Sequence, residues 1–462
     1  MTTQQRRRVL VITGDPIGIK LAGPAIRAWN IAEALSADNE VTLMSLTSVE
    51  ELPAPFALVY LAEGSHRAFA GWDAWADVII FQGHAMESFP ALERSDTVLI
   101  IDIYDPMHLE QLEQARELPL AVWNSHVEEA TISLNKQLTR GDYFVCASDR
   151  QRIFYLGQLA ALGRISPATY RDDPDLHGLI SVVPFGLSRV LPPHERDVLK
   201  GVLPGIARDD KLLLWSGGLY NWFDPKTLIR AVGILSERRD TVRLFFQGTK
   251  HPHPGVPEME VVSQSRALAA ELGLADSSVF FNGSWVDYAD RHNYLLEADA
   301  GVSTHFSHIE TTMSFRTRIL DYLWAGLPMV VTEGDVFAEL IQNEGLGLVV
   351  AEKDPEALAA ALERILFDEP FITQCRVNVA RVREDFYWDR VLAPLVGFVA
   401  HARRSADATE SFGKPKSPRA VFNPVRPRRR RGLVFKISRT VFYLRNGGPA
   451  VVIDKIKNRL AR

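Results

Sequence analysis

Cysteine is nearly missing from this 462-residue sequence: only Cys146 and Cys375 occur, far apart in otherwise ordinary surroundings. That scarcity excludes a disulfide framework and a cysteine metal site, and both thiols are expected to be buried and inert. No apolar run reaches the roughly 18 residues needed to span a bilayer. The N-terminus MTTQQRRR enters the apolar stretch VLVIT without a signal-peptide core, so a cytoplasmic location is expected. GxxxxGKS, HExxH, paired CxxC and GxSxG are also absent, which leaves phosphate-loop hydrolysis, zinc proteolysis and serine hydrolysis without support.

What is present suits a large soluble enzyme. With 47% hydrophobic and 24% charged residues, the chain can bury two or three domain cores. Short apolar runs alternate with helical stretches. VLVIT (9–13), EVTLMSL (40–46), LVYLA (58–62), DVIIFQG (77–83), TVLIIDIYD (97–105) and YFVCAS (143–148) read as buried strands, with AIRAWNIAEAL (25–35) an intervening helix. The same grammar restarts after SVVPFGLS (181–188), with KLLLWSGG, VRLFFQG, VFFNGS, AGVSTHF, MVVTEGD and GLGLVV as further strands. Alternation of this kind builds parallel sheets covered by helices. The expected fold class is therefore α/β, with two Rossmann-like domains around a central cleft, their junction near residues 185–205.

The most informative stretch is ETTMSFRTRILDYLWAGLP, residues 310–328. Ser314 reads as an N-cap, and Ile319, Leu320, Leu323 and Trp324 fall at helical spacing up to Gly326 and Pro328. A buried stripe needs neither Arg316 nor Arg318. Placed on a helix start, two guanidinium groups would attract a phosphate or diphosphate, while Glu310 could accept hydrogen bonds from sugar hydroxyls. The plainer alternative is a surface helix in which Arg318 and Asp321 pair along one face.

Other features carry weaker signals. Gly14, Gly18 and Gly23 lack the GxGxxG spacing of a dinucleotide site, and a tight strand-to-helix turn explains them as well as a ligand does. His305, His308 and Glu310 resemble a metal trio but want a fourth ligand, so sugar contacts or packing are favoured and no metal is expected. Asp224, before Pro225, is either a hydroxyl acceptor or a helix cap, and Trp222 and Phe223 either stack on a ligand or pack. Glu333, Gly334 and Asp335 end a buried strand at a cleft-facing position or form a turn. Lys250, His251 and His253 read as a solvated loop.

Charge is uneven along the chain. From Arg419 onward, thirteen Lys or Arg face Asp454 alone, so this tail carries plus twelve against a total of −5. Four consecutive arginines precede apolar positions Leu433, Phe435, Val441, Phe442, Val451, Ile453 and Ile456. Basic amphipathic helices with such faces suit an anionic membrane surface or a protein better than nucleic acid, and packing on the acidic body is the alternative.

The ordered set VVPFGLS, LLLWSGG with DPKTLIRAV, WVDYADRHNYLLEADAGVSTH and LDYLWAGLPMVVTEGD, together with GDYFVCAS, resembles retaining family 4 glycosyltransferases of the GT-B fold over about residues 8 to 400. The resemblance implies transfer of a sugar from a nucleotide-diphosphate donor, held by the second domain, to an acceptor held by the first. It implies no cofactor beyond the donor as co-substrate. On this reading residues 1–190 form the acceptor domain, 191–404 the donor domain, 405–432 a polar and basic linker, and 433–462 basic amphipathic helices. The acceptor is expected to be a glycan or a lipid-linked sugar met at the membrane, in a divergent bacterial branch that builds surface polysaccharide.

The sequence departs from the family at several points. Of two glutamates eight residues apart, the first position is Met313 and the second Asp321, with Glu310 a nearby substitute. Where the family supplies an arginine and a lysine to the diphosphate, Gly218 and Phe223 stand, so Arg316 and Arg318 are expected to replace them. The family's first-domain histidine would fall near Tyr104, inside DIYDPMHLE, with Asp102, Asp105 and His108 as nearby polar candidates. Glu310, Arg316, Arg318 and Asp105 are therefore the catalytic candidates; Gly23, Gly217, Gly218, Asp224, Ser314, Phe315, Asp321 and Glu333 the donor-binding ones; and Asp102, Tyr104 and His108 the acceptor-binding ones. A noncatalytic nucleotide-sugar or glycan-binding subunit and a nucleotide-sugar epimerase remain alternatives.

Overall fold

A computed structural model describes residues 6–171, 173–249 and 259–408. The basic tail from 409 onward and Lys250, His251 and His253 lie outside the described residues. Among the described residues, no helix is long and apolar enough to cross a membrane.

The first sheet comprises β1 (Arg8–Thr13), β2 (Glu40–Ser45), β3 (Ala57–Tyr60), β4 (Val78–Gln82), β5 (Val98–Asp102), β6 (Tyr143–Cys146) and β7 (Ile180–Val182). The second comprises β8 (Lys211–Gly218), β9 (Val242–Gly248), β10 (Val279–Phe281), β11 (Ala300–Ser303), β12 (Met329–Thr332) and β13 (Gly347–Val350). Their orders are β3-β2-β1-β4-β5-β6-β7 and β10-β9-β8-β11-β12-β13, and every pairing between these strands is parallel. Every residue of β4 and β5 is buried, as continuous apolar runs require when helices cover both sheet faces. In each sheet the strand order reverses beside the first strand, between β1 and β4 and between β8 and β11. Such switch points open a crevice at the carboxyl ends of the strands.

The chain crosses between the lobes twice, and the two crossings run side by side. Leu187 N–H donates to the Phe386 carbonyl at 2.7 Å, and Trp388 N–H donates to the Leu187 carbonyl at 3.0 Å. A Cβ on Gly186 would sit 2.5 Å from the Trp388 ring, so only glycine admits this approach. Beyond the crossing, the helix Ala393–Ala400 packs on the first sheet, where Phe398 stacks on Tyr143 at 4.0 Å. Asp407 then accepts a buried fork from Arg164. Residues that follow the second sheet in sequence thus complete the core of the first lobe.

Candidate active site

A cleft of about 450 Å³ opens between the lobes, lined from one side by residues after β1 and β5 and from the other by the ends of β8 and β9 and the 310–321 segment. That segment folds as two short helices, Ile309–Met313 and Arg318–Ala325, and not as one helix started by Ser314. Ser314 is extended (φ −80°, ψ 154°), and its hydroxyl donates back to the Thr311 carbonyl, so it closes the first helix. The second begins after Thr317 with no side-chain cap and ends at Gly326, whose φ of +73° suits glycine. The apolar stripe is buried as its spacing requires: Ile319, Leu320, Leu323 and Trp324 are each at most 5% exposed.

The extended bridge between these helices turns both arginines inward. Arg316 makes a two-pronged pair with Glu310 at 3.1 and 2.8 Å, and its third contact is the Thr311 hydroxyl at 3.3 Å. Arg318 donates to the Gly218 carbonyl at 2.8 Å and lies over the rings of Trp215 and Phe223 at 4.2 and 4.4 Å. Burial pushes the Arg318 guanidinium down to about 10, still charged at neutral pH. Among the described residues, Nη1 of Arg318 and Nε of Arg316 are buried with no hydrogen-bond partner. Buried donors of this kind cost free energy unless something meets them. The intrahelical Arg318–Asp321 pair does not form. Instead Asp321 accepts from the Ser216 hydroxyl at 2.6 Å and lies 3.6 Å from Arg291.

Of the other expected donor contacts, Gly23, Gly217, Gly218, Ser314, Phe315 and Asp321 line the cleft. Gly217 has φ +74°, and its carbonyl would be only 2.7 Å from a Cβ on Gly248, so two glycines allow the loops after β8 and β9 to meet. Asp224 and Glu333 do not line it. Asp224 is buried as the cap of the Pro225–Ser236 helix, accepting from Thr227 N–H at 3.0 Å, and the Glu333 side chain is exposed outside the cleft.

On the first-lobe wall, Tyr104 and Asp105 line the cleft, but Asp102 and His108 do not. Asp102 is consumed by a buried fork from Arg27 at 2.6 and 2.9 Å, and Arg27 also reaches the Val183 and Pro184 carbonyls at the crossing. His108 turns away to stack on Phe154 at 5.6 Å, and burial lowers its imidazole to about 4. The sequence reading missed Glu110, which joins Asp105 in the cleft wall and shares a hydrogen bond with it. Burial, then mutual repulsion, raises Glu110 well above its usual value, and burial also raises Asp105. Arg291 was missed as well: it lies between Tyr288 and Trp324, at 3.7 and 4.4 Å, on the second-lobe wall. Its position among DYADRHNY carries no local signal that separates it from a solvated helix start.

The His305, His308 and Glu310 group has no metal geometry. His305 sits against the Glu333 carbonyl at 3.1 Å, and burial drives its imidazole down to about 3. Among the described residues, one group, His194, Asp197 and Glu297, has metal-ligand spacing. Glu297 already accepts the N–H groups of Val198, Leu199 and Lys200, so its oxygens cap a turn.

Comparison with known proteins agrees with this geometry. Residues 210–368 match the family described as Glycosyl transferases group 1. No curated protein matches the sequence. Among solved structures, sucrose-phosphate synthase from Thermosynechococcus elongatus is similar at 16% identity and a TM-score of 0.64, covering 86% of this chain and 99% of its own. WaaG, a glycosyltransferase involved in lipopolysaccharide biosynthesis, is similar at 18% and 0.58, covering 86% and 100%. Anabaena HepE in complex with UDP-glucose is similar at 13% and 0.60, again covering 86% and 100%. The second lobe thus carries the match to the group 1 glycosyltransferase family, and the two facing parallel sheets, shared with these structures over 86% of the chain, give it the GT-B fold.

Proposed function

We propose that this enzyme moves a sugar from a nucleotide-diphosphate donor, held against the second lobe, to a glycan or lipid-linked acceptor held against the first, in the synthesis of a surface polysaccharide or glycolipid. The observation that carries the donor half is the pair of buried guanidinium groups at the cleft, with Arg318 Nη1 and Arg316 Nε unpartnered. Breaking the bond from the anomeric carbon to the diphosphate oxygen leaves negative charge on the departing group. Fixed cations in a dry site stabilise that charge without reorganising. Arg316 and Arg318 do this work, while Glu310 holds Arg316 in place and keeps lone pairs for a sugar hydroxyl. Asp105 and Glu110 face the acceptor. A uridine diphosphate sugar is the first donor to try, because HepE is seen with UDP-glucose. The acceptor class is supported by the lipopolysaccharide role of WaaG and by the basic, amphipathic tail of this sequence.

Turnover tests the reading. Donor should be consumed only when a glycan or lipid-linked acceptor is present. Conversion of donor alone would identify an epimerase, and donor binding without any turnover a noncatalytic subunit.

A further inference from the structure

Gln151 is invisible in the motif pattern and lies outside the cleft lining, yet it touches both halves of the site. It is fully buried near the start of the helix Asp149–Ala161. Its Oε1 accepts Ala147 N–H at 2.7 Å, and its own N–H donates to the Ser148 hydroxyl at 3.2 Å. Its Nε2 then donates to the Tyr104 carbonyl in the first lobe and to the Met313 carbonyl in the second, both at 2.7 Å. The partners fix the amide orientation, because the flipped amide would aim its oxygen at two carbonyls and its NH2 at a donor.

We propose that Gln151 is a positioning residue that sets the acceptor-side loop and the donor-side segment in one register through the two carbonyls its amide bridges. Tyr104 immediately precedes Asp105, and Met313 closes the short helix that carries Glu310, the partner of Arg316. One side chain thereby ties the two walls of the cleft at main-chain level. The neighbouring Arg150 reinforces the tie: it donates to the Gly334 carbonyl at 2.9 Å and the Thr312 carbonyl at 3.3 Å, and pairs with Glu339. Reacting groups held on separate lobes gain rate only when both are placed together, and small displacements are costly. The inference rests on the transfer reading for its kinetic consequence, but the physical tie can be measured without it.

The test compares wild type with Gln151→Met, which keeps the length and loses both donors, and with Gln151→Glu, which keeps an oxygen for Ala147. Arg150→Ala is a milder cut at the same junction. Amide hydrogen exchange should rise together in residues 104–110 and 309–318 of both Gln151 variants, with a smaller rise near 312 for Arg150→Ala. Uridine diphosphate affinity should stay within about twofold of wild type, since Arg316 and Arg318 are untouched, while kcat falls at least about tenfold, or 1.4 kcal/mol in the barrier. Unchanged exchange in either segment would overturn the proposal. So would a variant whose affinity and kcat fall in parallel with its melting temperature, the pattern of a merely structural residue. A wild type that binds no nucleotide diphosphate would sink the donor reading instead, leaving the exchange result to decide the tie.

Discussion

The chemistry of the cleft depends on how a few charged side chains share a buried space. Arg316 and Glu310 neutralise one another, so removing Arg316 alone would strand a buried carboxylate at a cost of about 3–5 kcal/mol and confuse binding with folding. Among the described residues Arg318 has no acidic partner and donates to a main-chain oxygen, which makes it the cleaner probe of anion binding. Across the cleft, Glu110 and Asp105 are both raised by burial, Glu110 well above the usual 4.5. The folded protein therefore holds a proton that the unfolded chain releases. Stability from this pair is complete below the unfolded values and is lost as pH rises toward the folded one. Glu110→Gln removes that titration, so its melting temperature relative to wild type should climb from about pH 5 to about pH 8. Parallel pH profiles for the two proteins would contradict the shared proton. Both thiols, by contrast, are buried and pushed up to about 12 for Cys146 and 11 for Cys375, as the sparse cysteine pattern suggested.

At the scale of elements, the second-lobe floor of the cleft hangs on Tyr322. Its hydroxyl lies 2.9 and 2.8 Å from the carbonyls of Leu214 and Val302 and accepts Ser216 N–H at 3.1 Å, linking the Arg318–Ala325 helix to β8 and β11 just below Gly217. Its ring occupies the space a Cβ on Gly301 would need, at 2.4 Å. Tyr322→Phe leaves the Ser216 N–H without its buried acceptor and should cost about 1–3 kcal/mol in urea unfolding. A loss within error of zero would remove Tyr322 from the account. Elements of this kind were legible because strand runs such as VLVIT and LLLW are apolar on both faces, and twelve of the strands fall on runs read from sequence. The short β7 was not read as a strand: only Ile180–Val182 pair there, inside a stretch that resembles a junction. Ser314 was misread because its cap chemistry is local, whereas the turn of Arg316 and Arg318 toward Glu310 and Gly218 is decided by tertiary partners. Asp102 and His108 failed for the same reason, since sequence offers no sign that Arg27 and Phe154 claim them.

At the scale of the molecule, two lobes meet through paired chain crossings, the Gln151 bridge and the return of residues 388–408 to the first sheet. The division into two lobes was visible in the restart of the strand pattern near 185–205, but the return was not. Nothing in the sequence of Ala393–Ala400 says which sheet its apolar face covers. The tail from 409 onward lies outside the described residues. From Arg419 onward its plus-twelve charge should bind anionic vesicles in a salt-dependent way, each Lys or Arg at the surface contributing about 1 kcal/mol. Full-length protein that stays in the supernatant with phosphatidylserine vesicles at low salt would refute the membrane role.

In the proposed function, donor binding turns on an anionic diphosphate meeting the Arg318 guanidinium at the cleft, whose Nη1 is unpartnered among the described residues. Titration calorimetry of wild type and Arg318→Ala with uridine diphosphate and its sugars, together with the other nucleoside diphosphates, tests that point directly. One nucleotide should bind the wild type and lose at least about tenfold in affinity, 1.4 kcal/mol, in the variant while its melting temperature without ligand changes little. Equal affinity in the two proteins, or no binding of any nucleoside diphosphate to the wild type, would contradict the central claim.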